Sequence, residues 1–113
     1  MSRRFLAPAV AALAATALAA GCGGTGSSEP VATTEVSMAK SYRFEPKAIE
    51  ISAGETVTWT NNDNFTHSVK VEGQGDHKVD RGDSVSIRFD RAGTYDYVCT
   101  LHSHDMHGTV IVA

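Results

Sequence analysis

Residues 55–71 read Glu-Thr-Val-Thr-Trp-Thr-Asn-Asn-Asp-Asn-Phe-Thr-His-Ser-Val-Lys-Val. Val57 and Trp59 alternate with Thr56, Thr58 and Thr60, and beyond a polar interruption His67, Val69 and Val71 share one parity. Successive strand side chains point to opposite faces, so each stretch offers one apolar face to a core. The same alternation holds for Val36 and Met38, for Ile49 and Ile51, for Val85, Ile87 and Phe89, and for Tyr95, Tyr97 and Cys99. Turn-forming residues separate the runs at Ala53-Gly54, Gly73-Gln74-Gly75-Asp76, Arg81-Gly82-Asp83 and Ala92-Gly93. No long amphipathic helical pattern interrupts them. The pattern predicts an all-β domain over residues 36–113, a two-sheet antiparallel Greek-key sandwich of seven or eight strands. Met38, Phe44, Trp59, Phe89, Tyr95 and Tyr97 are its expected core.

Upstream of the domain the composition changes twice. Arg3 and Arg4 precede Phe5 to Ala20, an almost unbroken run of small apolar residues. That run falls short of the roughly 20 residues a spanning helix needs, and it reads as a secretory signal peptide over residues 1–21. Leu18-Ala19-Ala20-Gly21 leads into Cys22 and resembles a bacterial lipobox, which makes Cys22 the expected lipidated N-terminus and a membrane anchor. An ordinary cleavage site with an incidental cysteine is the other reading of these residues. Residues 22–35, rich in Gly, Ser, Thr and Pro, are expected to form a flexible tether. An exported, lipid-anchored protein on the periplasmic or extracellular face follows.

Charge narrows the partners. The chain of 113 residues has a net charge of -3, and removing residues 1–21 takes away Arg3 and Arg4 but no acid, leaving -5. Without a basic run there is no surface to displace counterions from a phosphate backbone, so no nucleic acid is expected. The acids are scattered, as on a solvated surface, and no catalytic pair stands out.

Once Cys22 is committed to lipid, Cys99 is left without an internal disulfide partner. A lone thiol on an exported protein implies intermolecular pairing, inert burial or metal ligation. Cys99-Thr100-Leu101-His102-Ser103-His104-Asp105-Met106 places a thiol, imidazoles and a thioether in one loop between two strands. Cys99 and His67 both carry core-facing parity. Sulfur with imidazole suits copper, whereas zinc rarely takes methionine and calcium or magnesium require oxygen. His104 and His107 read as solvated loop residues, and His77, near a turn, as uninformative.

These residues are similar to those of the cupredoxins, the blue copper proteins. The resemblance runs through Tyr42-Arg43-Phe44-Glu45-Pro46, Ala53 to Asp63, His67-Ser68-Val69, Ala92 to Cys99, and His102, Met106 and Gly108 to Val112. The Cys-x-x-His-x-x-x-Met spacing resembles that of the short-loop, amicyanin-like and plastocyanin-like members. What the resemblance implies is one mononuclear type 1 copper. His67 and His102 would supply nitrogens, Cys99 the thiolate and Met106 an axial sulfur, with His102 as the electron port. Ser68 and Thr100 would support the ligands from behind, Ser68 by tying the two ligand loops together. Leu101 and Ser103 occupy places where amicyanin-like loops commonly carry proline, so that stiffening is absent.

The expected function is electron transfer between redox proteins of the cell envelope by a monomeric carrier whose copper cycles between Cu(I) and Cu(II). The alternative is a copper storage or delivery lipoprotein, with His102, His104, His107 and Met106 holding an exchangeable ion. A copper enzyme would need a second centre with further histidines, so no catalytic residues are assigned.

Overall fold

The computed structural model describes residues 29–113. The expected signal peptide, Cys22 and the first part of the tether lie outside the described residues. Ten strands run in the order β1 (Val31–Ala32), β2 (Glu35–Ala39), β3 (Arg43–Glu45), β4 (Ala48–Ile51), β5 (Glu55–Asn61), β6 (His67–Val71), β7 (Gly75–Val79), β8 (Ser84–Phe89), β9 (Gly93–Val98) and β10 (His107–Val112). A single 3-10 turn, Thr100–His102, is the one helical element among the described residues. One sheet has the order β1-β4-β10-β9-β6-β7 and the other β3-β2-β5-β8.

The all-β sandwich is as expected, but its sheets are mixed. β1 with β4, β4 with β10, and β2 with β5 pair parallel. Side-chain alternation reports which face of a strand is buried and carries nothing about strand direction. Direction follows here from the chain's repeated crossing between layers, from β1 to β2, β3 to β4, β4 to β5, β5 to β6, β7 to β8 and β8 to β9. The count exceeds seven or eight because β1, β3 and β7 bury at most one side chain each and carry no apolar alternation to read. β1 also falls inside the stretch expected to be a tether. Its exposed Val31 and Ala32 pair with Ile49 and Glu50 through backbone alone, so the sheet starts ahead of Val36.

The core follows the alternation. Val57 and Trp59 from β5, Val69 and Val71 from β6, Ile87 and Phe89 from β8, and Tyr97 from β9 are all buried between the layers. Fully burying one such side chain is worth about 1.5–3 kcal/mol. Tyr95 departs from expectation: it is half-buried against the edge of the core, its hydroxyl donating to the Arg91 carbonyl at 2.8 Å. Outward-facing threonines of β5 pair across the strand boundary, Thr58 with Ser86 at 2.8 Å and Thr60 with Ser84 at 2.9 Å.

At the centre, Tyr97 meets Phe44 and Trp59 edge-to-face, with ring centroids 4.8 and 5.2 Å apart. Neither Trp59 Nε1 nor the Tyr97 hydroxyl finds a hydrogen-bond partner. Burial therefore pushes the Tyr97 hydroxyl well above the usual phenol pKa, an effect that the neighbouring indole partly offsets. Gly108, directly opposite Tyr97 in the β9–β10 register, leaves the space that the tyrosine ring fills.

Candidate metal centre

β6 and β9 lie side by side in the larger sheet, and β9 and β10 enclose the loop that begins at Cys99. Their junction brings His67, at the start of β6, against the end of β9. Cys99 keeps an extended backbone as β9 ends. The loop then closes on itself: Cys99 N donates to the Met106 carbonyl at 3.1 Å, and His102 N to the Cys99 carbonyl at 3.1 Å. Asp105 N and Met106 N both donate to the His102 carbonyl at 3.0 Å. Met106 is thereby returned to the core, fully buried, at the threshold of β10.

Three donor atoms converge. His67 Nδ1 and His102 Nδ1 are 3.2 Å apart, and Cys99 Sγ stands 3.8 Å from the first and 3.6 Å from the second. Among the described residues this is the one cluster of three or more His, Cys, Asp or Glu whose donor atoms approach one another closely enough to share an ion. His67 and Cys99 are fully buried, while His102 is partly exposed. Three planar bonds of about 2.0 Å to nitrogen and about 2.3 Å to sulfur would place the donors about 3.5–3.7 Å apart. The observed triangle fits a trigonal ion of that size. The donor set also fits: two imidazoles and one thiolate, with a thioether on the same loop, match the ligand preferences of copper.

The surroundings fix each donor. His67 Nε2 donates to Asp63 Oδ2 at 2.9 Å, which places the ring proton on Nε2 and turns the Nδ1 lone pair toward the other two donors. Burial opposes ionisation of Asp63, but the hydrogen bonds from His67 and the Asn64 N–H, together with the charge interactions, outweigh it and hold the carboxyl below the usual aspartate value. Asn61 organises the same loop: its Nδ2 donates to the carbonyls of Phe65 (2.8 Å) and Val79 (3.0 Å), and its Oδ1 accepts from Asp63 N at 2.9 Å.

Behind Cys99, Ser68 N donates to Sγ at 3.3 Å, and Ser68 Oγ accepts the Thr100 N–H at 2.8 Å. The Ser68 hydroxyl and Thr100 Oγ1 are 2.8 Å apart, and Thr100 Oγ1 continues to Asp76 Oδ2 at 3.3 Å. Ser68 and Thr100 thus join β6 to the ligand loop. His104 and His107 are exposed, and His77 lies in β7 with Nε2 bonded to the Gln74 carbonyl.

Sequence reasoning passed over Asp63 and Tyr42. Asp63 stands four residues before His67, a spacing visible in the chain but indistinguishable there from a solvated loop acid. Replacing Asp63 with alanine strands the fully buried His67 Nε2–H. The expected result is a loss of about 10–100-fold in copper affinity, read by competition with a chelator. Unchanged affinity would show that the His67 tautomer is set elsewhere.

Comparison with known proteins agrees with this geometry. Residues 31–113 match the family described as copper binding proteins, plastocyanin/azurin family. The chain is 40% identical over 114 residues to amicyanin-alpha of Methylorubrum extorquens, covering 94% of each protein. It is 33% identical to amicyanin of Paracoccus versutus over 135 residues, covering 99% of this chain and 98% of that protein. The crystal structure of amicyanin from Paracoccus versutus superposes with a TM-score of 0.64 at 32% identity, over 77% of this chain and 93% of that one.

Proposed function

The chain belongs to the plastocyanin/azurin family of copper-binding proteins, the cupredoxins, whose cofactor is one type 1 copper; from that membership we propose that it is an electron carrier, and from its leader that it works in the cell envelope. The observation that carries the reading is the triangle of His67 Nδ1, Cys99 Sγ and His102 Nδ1. His67, Cys99 and His102 would hold the ion, and the buried Met106 of the same loop would add a thioether sulfur. Bound copper supplies one-electron chemistry between Cu(I) and Cu(II).

The chain's own residues supply the rest. The sandwich fixes His67 and Cys99 in a water-excluded position, and their hydrogen bonds to Asp63 and Ser68 hold the donors in place. His102 alone among the three reaches solvent, so its imidazole edge is the route by which an electron enters and leaves. Leu101, next to His102 in the ligand loop, and Phe65, two residues before His67, are each 54% exposed and offer apolar side chains on which a redox protein can dock. A reversible redox titration of the copper-loaded protein with a one-electron slope tests the carrier role. Irreversible loss of copper on reduction would instead favour storage or delivery.

The leader and Cys22 support an envelope location with the domain held to the membrane by lipid. Fractionation of cells expressing the full chain and its Cys22→Ala variant tests this: the wild type should pellet with membranes and the variant should be released.

Copper should also stabilise the fold. At one hundred times its dissociation constant, an ion bound only by the folded state adds about 2.7 kcal/mol. With a shift of about 4–8 °C per kcal/mol for a domain of this size, the melting temperature should rise by about 10–20 °C on loading. Equal melting temperatures with and without copper would contradict a site that exists only in the folded chain.

A further inference from the structure

The β2–β3 hairpin belongs to the smaller sheet, yet its turn reaches the ligand loop of the larger one. Tyr42, in that turn, lays its ring on His102: the centroids are 4.4 Å apart and the planes differ by 20°, a stacked pair. The same ring meets His67 edge-on at 6.0 Å and Phe65 at 5.9 Å. The His102 backbone is tied to Cys99, Asp105 and Met106, and His67 and Cys99 meet its Nδ1, but the ligand loop itself lays no ring on the face of the imidazole. Thr100, Leu101, Ser103, His104 and Asp105 are all exposed, and the loop contains no proline.

The backbone makes the arrangement more telling. Ser41 and Tyr42 have φ values of 74° and 55°, the left-handed region that a bulky side chain enters only when its surroundings hold it there. A glycine would take this turn without strain, so a tyrosine at the position is opposed by its own backbone and retained by what its ring touches.

We propose that Tyr42 is the positioning residue for His102: stacked on the imidazole, it keeps Nδ1 in register with His67 Nδ1 and Cys99 Sγ from outside the ligand loop. The proposal rests on the copper reading above. Tyr42 does not touch the ion and supplies no donor. It restrains the imidazole side chain, where the loop's own hydrogen bonds fix only backbone, so the partly exposed ligand does not swing away from the buried pair.

The test uses Tyr42→Phe, Tyr42→Leu and Tyr42→Gly in the full domain. The phenylalanine keeps the ring, the leucine keeps bulk without a ring, and the glycine relieves the turn and guards against misfolding. Extraction of Cu(I) by excess bicinchoninate should be about two- to tenfold faster in the leucine and glycine variants, the equivalent of one aromatic stack. The phenylalanine variant should stay within about twofold of wild type. The reduction potential should rise in the same two variants, because a loosened imidazole favours the ion that sulfur holds well.

In metal-free wild type, the His102 ring protons should resonate upfield of those of His104 and His107, and Tyr42→Leu should abolish the difference. Equal extraction rates and potentials across folded variants overturn the proposal, as does a phenylalanine variant that behaves like leucine. Coincident ring-proton shifts in metal-free wild type also overturn it. If wild type fails to bind copper at all, the functional reading falls separately, and the metal-free spectrum still decides whether the stack exists.

Discussion

Copper-loaded protein is expected to be intensely blue, and its Cys99→Ser variant is expected to lose that colour. The colour of a type 1 centre comes from charge transfer out of a thiolate held in the plane of the two imidazoles. Among the described residues Cys99 is the one cysteine, fully buried and with Sγ 3.6–3.8 Å from the Nδ1 atoms of His67 and His102. Serine keeps the size class and the hydrogen-bonding slot facing Ser68 N, so the fold should survive. It removes the soft, oxidisable donor. His67 and His102 remain, so some Cu(II) can still bind, but as a pale complex. Visible absorption per bound copper decides the matter, and a serine variant as blue as wild type would falsify the assignment of Cys99.

The second large effect is expected at a residue that touches no ligand. Gly108→Ala should lower the melting temperature by about 10–20 °C, the equivalent of roughly 2–3 kcal/mol for a domain of this size. A β-carbon at Gly108 would overlap the Cζ and hydroxyl of Tyr97. The ring cannot retreat, because Phe44 and Trp59 hold it edge-to-face from the other sheet. β10 cannot shift freely either, since it pairs with β9 on one side and β4 on the other. The loss is a large share of a net stability of about 4–12 kcal/mol for some 80 residues. If the overlap is the cause, Tyr97→Leu combined with Gly108→Ala should cost less than the sum of the two single changes. A Gly108→Ala variant melting within about 2 °C of wild type would show that the ring has room to move.

What could be read from the chain, and what could not, divides along physical lines. Strand faces were legible because alternation is local: Val57, Trp59, Val69 and Phe89 bury as their parity requires. Cys99, His102 and Met106 were legible as candidate ligands because they share one short loop, and His67 through its core-facing parity together with the family resemblance. The parallel pairings were not legible, since direction is a property of layers and not of side-chain order. β1 buries no side chain, β3 only Phe44 and β7 only Val79, and a single apolar residue makes no alternation from which a strand can be read. Asp63 and Tyr42 matter only through what they touch across the fold. Tyr95 carried the right parity but sits where the core thins out toward solvent.

The strands that end each sheet carry a further consequence. β1 and β3 are two and three residues long, β7 exposes Asp76 and Lys78, and β8 turns Ser84, Ser86 and Arg88 outward. Unpaired backbone along a long, uncharged border is a template on which a second chain can add a strand and begin to aggregate. Here every such border is either too short or too polar to be extended, so copies crowded together at high local concentration can meet without knitting into fibrils.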